Sequence, residues 1–130
     1  MANLLIVDDE LSMRQFLTHL FQRDGHAVRV AENGRKAMDL LRQQPADVII
    51  SDVKMPDMGG VETARRIKAN PETARLPVIA MSADTIDGEA SRLREIGMDD
   101  YIAKPVEPAT LKNVVERWLP QRHQAIRLRS

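Results

Sequence analysis

Five short runs, Asn3–Val7, Ala27–Ala31, Val48–Ser51, Val78–Met81 and Tyr101–Ala103, are apolar or β-branched and too brief to be helices. Between and after them the apolar residues recur at helical spacing: Leu17, Leu20 and Phe21; Ala37, Leu40 and Leu41; Val61, Ala64 and Ile67; Ile86, Ala90 and Leu93; Leu111, Val114, Val115 and Trp118. A chain that alternates strand and helix in this way has few ways to fold. Successive strands run parallel, and each crossover helix packs back on the sheet. The expected class is α/β: a single doubly wound five-stranded parallel sheet with helices on both faces. Punctuation residues agree, with Asn33 placed to cap a helix N-terminus, Gly25 and Gly97 to close helix C-termini, and Pro45 and Asn70-Pro71 to follow them.

The chain has 130 residues, 43% of them apolar, which suits one core and leaves no room for a second. Residues 1–119 are expected to form the domain; Pro120 stops the last helix, and 120–130 reads as a flexible tail. Nineteen basic residues balance nineteen acidic ones, so neither nucleic acid nor an anionic membrane is expected as a partner. Cysteine is absent, which excludes disulfides and thiolate metal sites. MANLLIV leads directly into Asp8-Asp9-Glu10, without a cationic leader or the roughly 20 apolar residues of a membrane span. A cytoplasmic location is expected.

The chemistry-bearing residues sit at the ends of the apolar runs: Asp8 and Asp9 after the first, Asp52 after the third, Ser82 after the fourth and Lys104 after the fifth. In an open α/β sheet these ends share the edge where ligands bind. Adjacent carboxylates repel, and a third at Asp52 adds to the conflict unless a cation joins them. A hard divalent ion such as Mg²⁺ resolves it with oxygen ligands. Taken alone, Asp8-Asp9-Glu10 would serve equally well to complement a helix dipole; with Asp52 and Lys104 at matching strand ends, the metal reading is the stronger. Asp52 at the rim is placed to attack a phosphorus atom in line. Lys104 supplies a mobile point charge for the phosphoryl oxygens and Ser82 a hydroxyl donor.

These residues resemble, in order, the motifs of the response-regulator receiver domain, the phosphoacceptor module of two-component signalling: DD, then D-x-x-M-P-x-x-x-G from Asp52 to Gly60, then Ser82-Ala83, then Lys104-Pro105. The resemblance runs from about Asn3 to Leu119. It implies that Asp52 is phosphorylated from a phosphohistidine, that Mg²⁺ is held by Asp9, Asp52 and the Lys54 backbone carbonyl, and that Asp8 acts directly or through a bound water. It implies Ser82 and Lys104 as holders of the phosphoryl group, Tyr101 as a switch aromatic coupled to Ser82, sheet order 2-1-3-4-5 as in flavodoxins, and a cis Lys104–Pro105 bond. It further implies that a histidine kinase or histidine phosphotransfer protein docks on the first helix through Ser12, Met13, Phe16, His19 and Leu20. A downstream protein, or a second copy, would read the surface of the fourth helix, fifth strand and fifth helix. Lys54 and Asp84 stand where the family varies and where side chains affect water access to an acyl phosphate.

Rival readings fail on particular residues. An aspartyl-nucleophile phosphohydrolase of the haloacid dehalogenase type needs a second Asp two residues on, where Lys54 stands. A flavodoxin-like cofactor binder needs a hydroxyl- or glycine-rich loop after the first strand, and this loop is acidic. An unphosphorylated scaffold receiver would lack one of the acting groups. His19, His26 and His123 show no ligand spacing and are expected to face solvent, while Trp118 belongs to the core or its edge.

Overall fold

The computed structural model describes residues 2–55, 58–83, 93–95 and 97–119. Its strands are β1 (Asn3–Val7), β2 (Ala27–Ala31), β3 (Val48–Asp52), β4 (Val78–Ser82) and β5 (Asp100–Ala103); its helices are α1 (Leu11–Gln22), α2 (Gly34–Gln43), α3 (Gly60–Ala69) and a C-terminal helix (Pro108–Trp118). All neighbouring strands pair parallel, in the order β2-β1-β3-β4-β5. The expected doubly wound sheet and its strand order are borne out. So is the cis bond at Lys104–Pro105.

The central strands are apolar throughout because both of their faces are covered. Leu4, Ile6, Val48, Ile50, Ile79, Met81 and Ile102 pack against Leu17 and Phe21 of α1 and Leu111, Val114 and Val115 of the C-terminal helix. Leu5, Val7, Ile49, Val78 and Ala80 face Ala37 and Leu41 of α2, Ala64 and Ile67 of α3, and Leu93. Strand side chains alternate with a period of two, so the first series points on to Asp8, Asp52 and Lys104, and the second to Ser82. Ser82 thus leaves the sheet from the face opposite Asp52, and it lies one step further up its strand, since Asp52 pairs with Met81.

Local chemistry sets the helix ends. Asn33 Oδ1 accepts the Lys36 N–H at 2.8 Å. Gly25 and Gly97 have φ of 86° and 109°, and each closes a helical turn with two reversed bonds: Gly25 N–H to Gln22 O and His26 N–H to Phe21 O, then Gly97 N–H to Arg94 O and Met98 N–H to Leu93 O. The C-terminal helix is capped by Glu107, whose carboxylate accepts from Thr110 Oγ1 and from the Ala109 and Thr110 amides. Those bonds, the hydroxyl first, hold its pKa below the usual glutamate value. Trp118 sits at the core edge and donates Nε1–H to Asp100 at 2.9 Å.

One expectation is corrected: His26 does not face solvent. It is half-buried, its Nδ1 accepts the Ala2 N–H at 3.2 Å, and its ring lies 6.2 Å from that of Phe21. Pro56, Asp84, Ile86, Ala90, His123 and the expected tail 120–130 lie outside the described residues.

Gly60 opens α3 directly beneath β3. Its N–H donates to Val53 O at 3.0 Å, and a Cβ at this position would overlap the Asp52 carbonyl oxygen and approach Val53 Cα to 3.0 Å. The obstacle is backbone, so it cannot swing aside. Gly60→Ala is expected to lower stability by about 2 kcal/mol or more in urea unfolding; stability within about 0.5 kcal/mol of the parent would contradict this packing.

Candidate functional site at the strand ends

Register brings the acting residues level. Val7 pairs with Ser51, so Asp8 and Asp52 occupy the next position on adjacent strands, while Ser82 pairs with Ala103 just before Lys104. The ladder continues past the strand ends: Asp8 N–H donates to Ala31 O at 3.0 Å, Val53 N–H to Met81 O at 3.0 Å and Lys104 N–H to Ser82 O at 2.8 Å. A cleft of about 260 Å³ opens there, lined by Asp9, Glu10, Asp52, Val53, Lys54, Ser82, Ala83 and Lys104.

Carboxylate oxygens of Asp8, Asp9 and Asp52 all lie within 4.8 Å of one another. Asp8 and Asp52 are buried, Asp9 is exposed, and Ser82 is 3% exposed. Lys104 Nζ reaches Asp52 Oδ2 at 3.3 Å and Asp8 Oδ2 at 3.7 Å. Lys104 thus sets one positive charge against two of the three carboxylates. Asp8 Oδ1 accepts the Glu10 N–H at 2.9 Å, but Asp8 Oδ2 is buried without a hydrogen-bond partner among the described residues.

Burial pushes the Asp8 carboxyl above its usual range, with the Asp52 and Asp9 charges adding to the effect and the Glu10 amide and Lys104 opposing it. Burial also works against the Lys104 ammonium, yet the Asp52 and Asp8 carboxylates together outweigh it and hold its pKa above the usual lysine value. Lys104 therefore stays charged, and the acidic cluster stays short of positive charge. Orphaned oxygen, close carboxylates and surplus negative charge are what a hard divalent cation satisfies, so the residues present fit one.

The structure brings Asp8, Asp9, Asp52, Ser82 and Lys104 to one edge, with Lys54 lining the same cleft. Tyr101 stands apart from the cleft lining. It pairs with Ala80, one alternation below Ser82 on the same face, and packs half-buried against the second core cluster. On α1, Ser12, Phe16 and His19 are exposed, Phe16 by 41%, while Met13 and Leu20 are half-buried against the core. Sequence reasoning missed Arg14, whose Nη1 donates to Asp8 O at 2.7 Å. A bond to a backbone carbonyl carries no side-chain pattern that could have revealed it.

Residues 4–116 match the family model of the response regulator receiver domain. The chain belongs to that family. It is 36% identical over 121 residues to Protein PilH of Pseudomonas aeruginosa, covering 92% of this chain and 98% of that protein. It is 33% identical to the signal transduction histidine-protein kinase BarA of Escherichia coli, across 89% of this chain but only 13% of BarA. Among solved structures, chemotaxis protein CheY4 of Vibrio cholerae superposes with a TM-score of 0.86 at 33% identity, covering 92% of this chain and 99% of that one. The receiver domain of a sensor histidine kinase from Pseudomonas aeruginosa PAO1, which has magnesium coordinated in its active-site cleft, gives 0.82 at 28% identity, covering 90% of this chain and 96% of that one. Among the described residues, no helix is long and apolar enough to cross a membrane.

Because the fold disfavours the Asp8 charge, Asp8→Asn is expected to stabilise the protein in chelator-treated buffer by about 1 kcal/mol at neutral pH. The folded state binds the Asp8 proton more tightly than the unfolded chain does. The contribution of Asp8 to stability therefore rises as pH falls from the raised folded value to the ordinary 3.8. The advantage of asparagine should shrink across that window and vanish below it. Urea unfolding of both proteins at several pH values measures this; a destabilised asparagine variant at neutral pH would contradict the electrostatic account.

Proposed function

We propose that this receiver domain accepts a phosphoryl group on Asp52 from a phosphohistidine of a histidine kinase or phosphotransfer protein, and passes the signal on through a changed surface. The observation that carries this reading is the pairing of Asp52 with Lys104 at 3.3 Å beside the orphaned Asp8 oxygen. In the step itself, an Asp52 carboxylate oxygen attacks phosphorus in line, the new P–O bond forms as the P–N bond breaks, and the imidazole nitrogen leaves with the electron pair. Lys104 turns from the consumed Asp52 charge to the incoming phosphoryl oxygens, and the Ser82 hydroxyl donates to another. Both groups already line the cleft.

Mg²⁺, held by Asp8, Asp9, Asp52 and the Lys54 backbone carbonyl, would neutralise the charge gathering on the transferred group. The similar receiver with magnesium in its cleft supports this ion over others. The donor would dock on α1 through Ser12, Met13, Phe16, His19 and Leu20, where Phe16 is an exposed aromatic on the helix that follows the acidic turn. Ser82 and Tyr101 share one face of the sheet, which supports a switch in which Ser82 moves toward the phosphoryl group and Tyr101 fills the vacated space. A downstream protein or a second copy would read the outcome around β5 and the C-terminal helix. A haloacid dehalogenase-type phosphohydrolase is disfavoured by Lys54, two residues past Asp52.

Incubation with acetyl phosphate and Mg²⁺, followed by intact-mass measurement, is expected to add one phosphoryl group, and to add none after Asp52→Asn or with a chelator. An asparagine variant that is modified at the parent rate would place the nucleophile elsewhere. Ser82→Ala is expected to accept beryllofluoride on Asp52 while the Tyr101 ring resonances keep their resting positions. Parent-like shifts of that ring in the variant would break the proposed coupling.

A further inference from the structure

We propose that Arg14 is a positioning residue for the acidic turn, clamping the Asp8 backbone so that Asp8 and Asp9 present their carboxylates to the cation; this rests on the metal reading above. Asp8 is where the chain leaves the sheet. Its N–H makes a last rung to Ala31 O, but β1 ends at Val7, and the Asp8 carbonyl is taken by the Arg14 guanidinium at 2.7 Å. The same arginine donates its backbone N–H to Glu10 O at 3.1 Å. Main chain and side chain of one residue therefore hold both ends of the turn Asp8–Glu10, and the Asp8 Oδ1 bond to the Glu10 amide closes it from within.

The geometry fixes more than a loop. The peptide joining Asp8 to Asp9 contains the clamped carbonyl, so its rotation would carry the Asp9 carboxylate away from Asp52 while Asp8 stayed buried. A charge-assisted bond of this length resists that rotation better than a neutral one. Arg14 is not among the residues lining the acidic cleft. It lines instead a separate groove of about 250 Å³ between α1 and β2, beside Leu11, Gln15, Thr18, His19, Gln22 and Val30. It thus acts on the cation site through the Asp8 backbone, bringing positive charge to the acidic turn without taking a ligand position. Helical side chains lean toward the helix N-terminus, which is what lets a residue in the first turn of α1 reach back to Asp8.

Three variants separate positioning from general stability. Arg14→Ala is expected to weaken Mg²⁺ binding by about tenfold, the lower end for groups that orient metal ligands, and to shift the Asp9 and Glu10 amides of the metal-free protein. Arg14→Lys, which restores a cationic donor without the planar fork, should recover part of the affinity. Gln15→Ala lines the same groove and should match the parent. In the unsubstituted protein the Arg14 guanidinium protons should exchange more slowly than those of exposed Arg23, a reading that does not depend on any variant folding. Parent-like Mg²⁺ affinity and amide positions in Arg14→Ala, a lysine variant no better than alanine, an equal loss in Gln15→Ala, or equal exchange at Arg14 and Arg23 would each overturn the proposal. If the parent itself bound no Mg²⁺, the metal reading would fail, and the metal-free amide shifts alone would decide whether Arg14 positions the turn.

Discussion

Repulsion among three carboxylates is the constraint around which this domain is organised. Asp8, Asp9 and Asp52 are held within 4.8 Å of one another with Lys104 set against Asp8 and Asp52, and the most buried of the three has an oxygen with no hydrogen-bond partner among the described residues. No flexible chain would keep such a cluster together. It persists because two adjacent parallel strands, apolar on both faces and locked in register, deliver Asp8 and Asp52 to the same level. The hydrophobic burial of the sheet supports an electrostatically unfavourable edge, and that edge is where a cation and a phosphoryl group would be stabilised most.

The rest of the structure serves this edge from below. Gly60 lets α3 start against the Asp52 backbone. A cis Lys104–Pro105 bond follows directly on the lysine. At the opposite end of the sheet, Lys68 ties Ala74 O, Leu76 O and Asp99 together, and Asp99 also accepts the Val78 N–H, so the starts of β4 and β5 are fixed as a unit.

Much of this was legible from the residues. Strand and helix alternation set the class because period and length leave few alternatives, and the runs ending in Asp8, Asp52, Ser82 and Lys104 marked the edge. The boundaries shifted slightly, as Asp52 and Ser82 prove to be the last residues of their strands rather than the first beyond them. What sequence could not convey were contacts made to backbone atoms. His26 looked like a surface histidine but receives the Ala2 amide, and Arg14, which no residue pattern singled out, holds the Asp8 carbonyl. Glu107 as a helix cap was also unmarked, because glutamate is not among the usual capping residues. Nor did the strand pattern reveal that Ser82 reaches the cleft from the opposite face of the sheet; that follows only from register.

The most direct test of the central claim is to look for the cation among the carboxylates. Crystals of the protein grown with Mn²⁺ in place of Mg²⁺ would give an anomalous signal at the metal. The account predicts a peak in contact with the carboxylate oxygens of Asp52 and Asp9 and the backbone carbonyl of Lys54, with Asp8 bound directly or through one water. A map with no peak between these groups, or with Mn²⁺ only elsewhere on the surface, would contradict it.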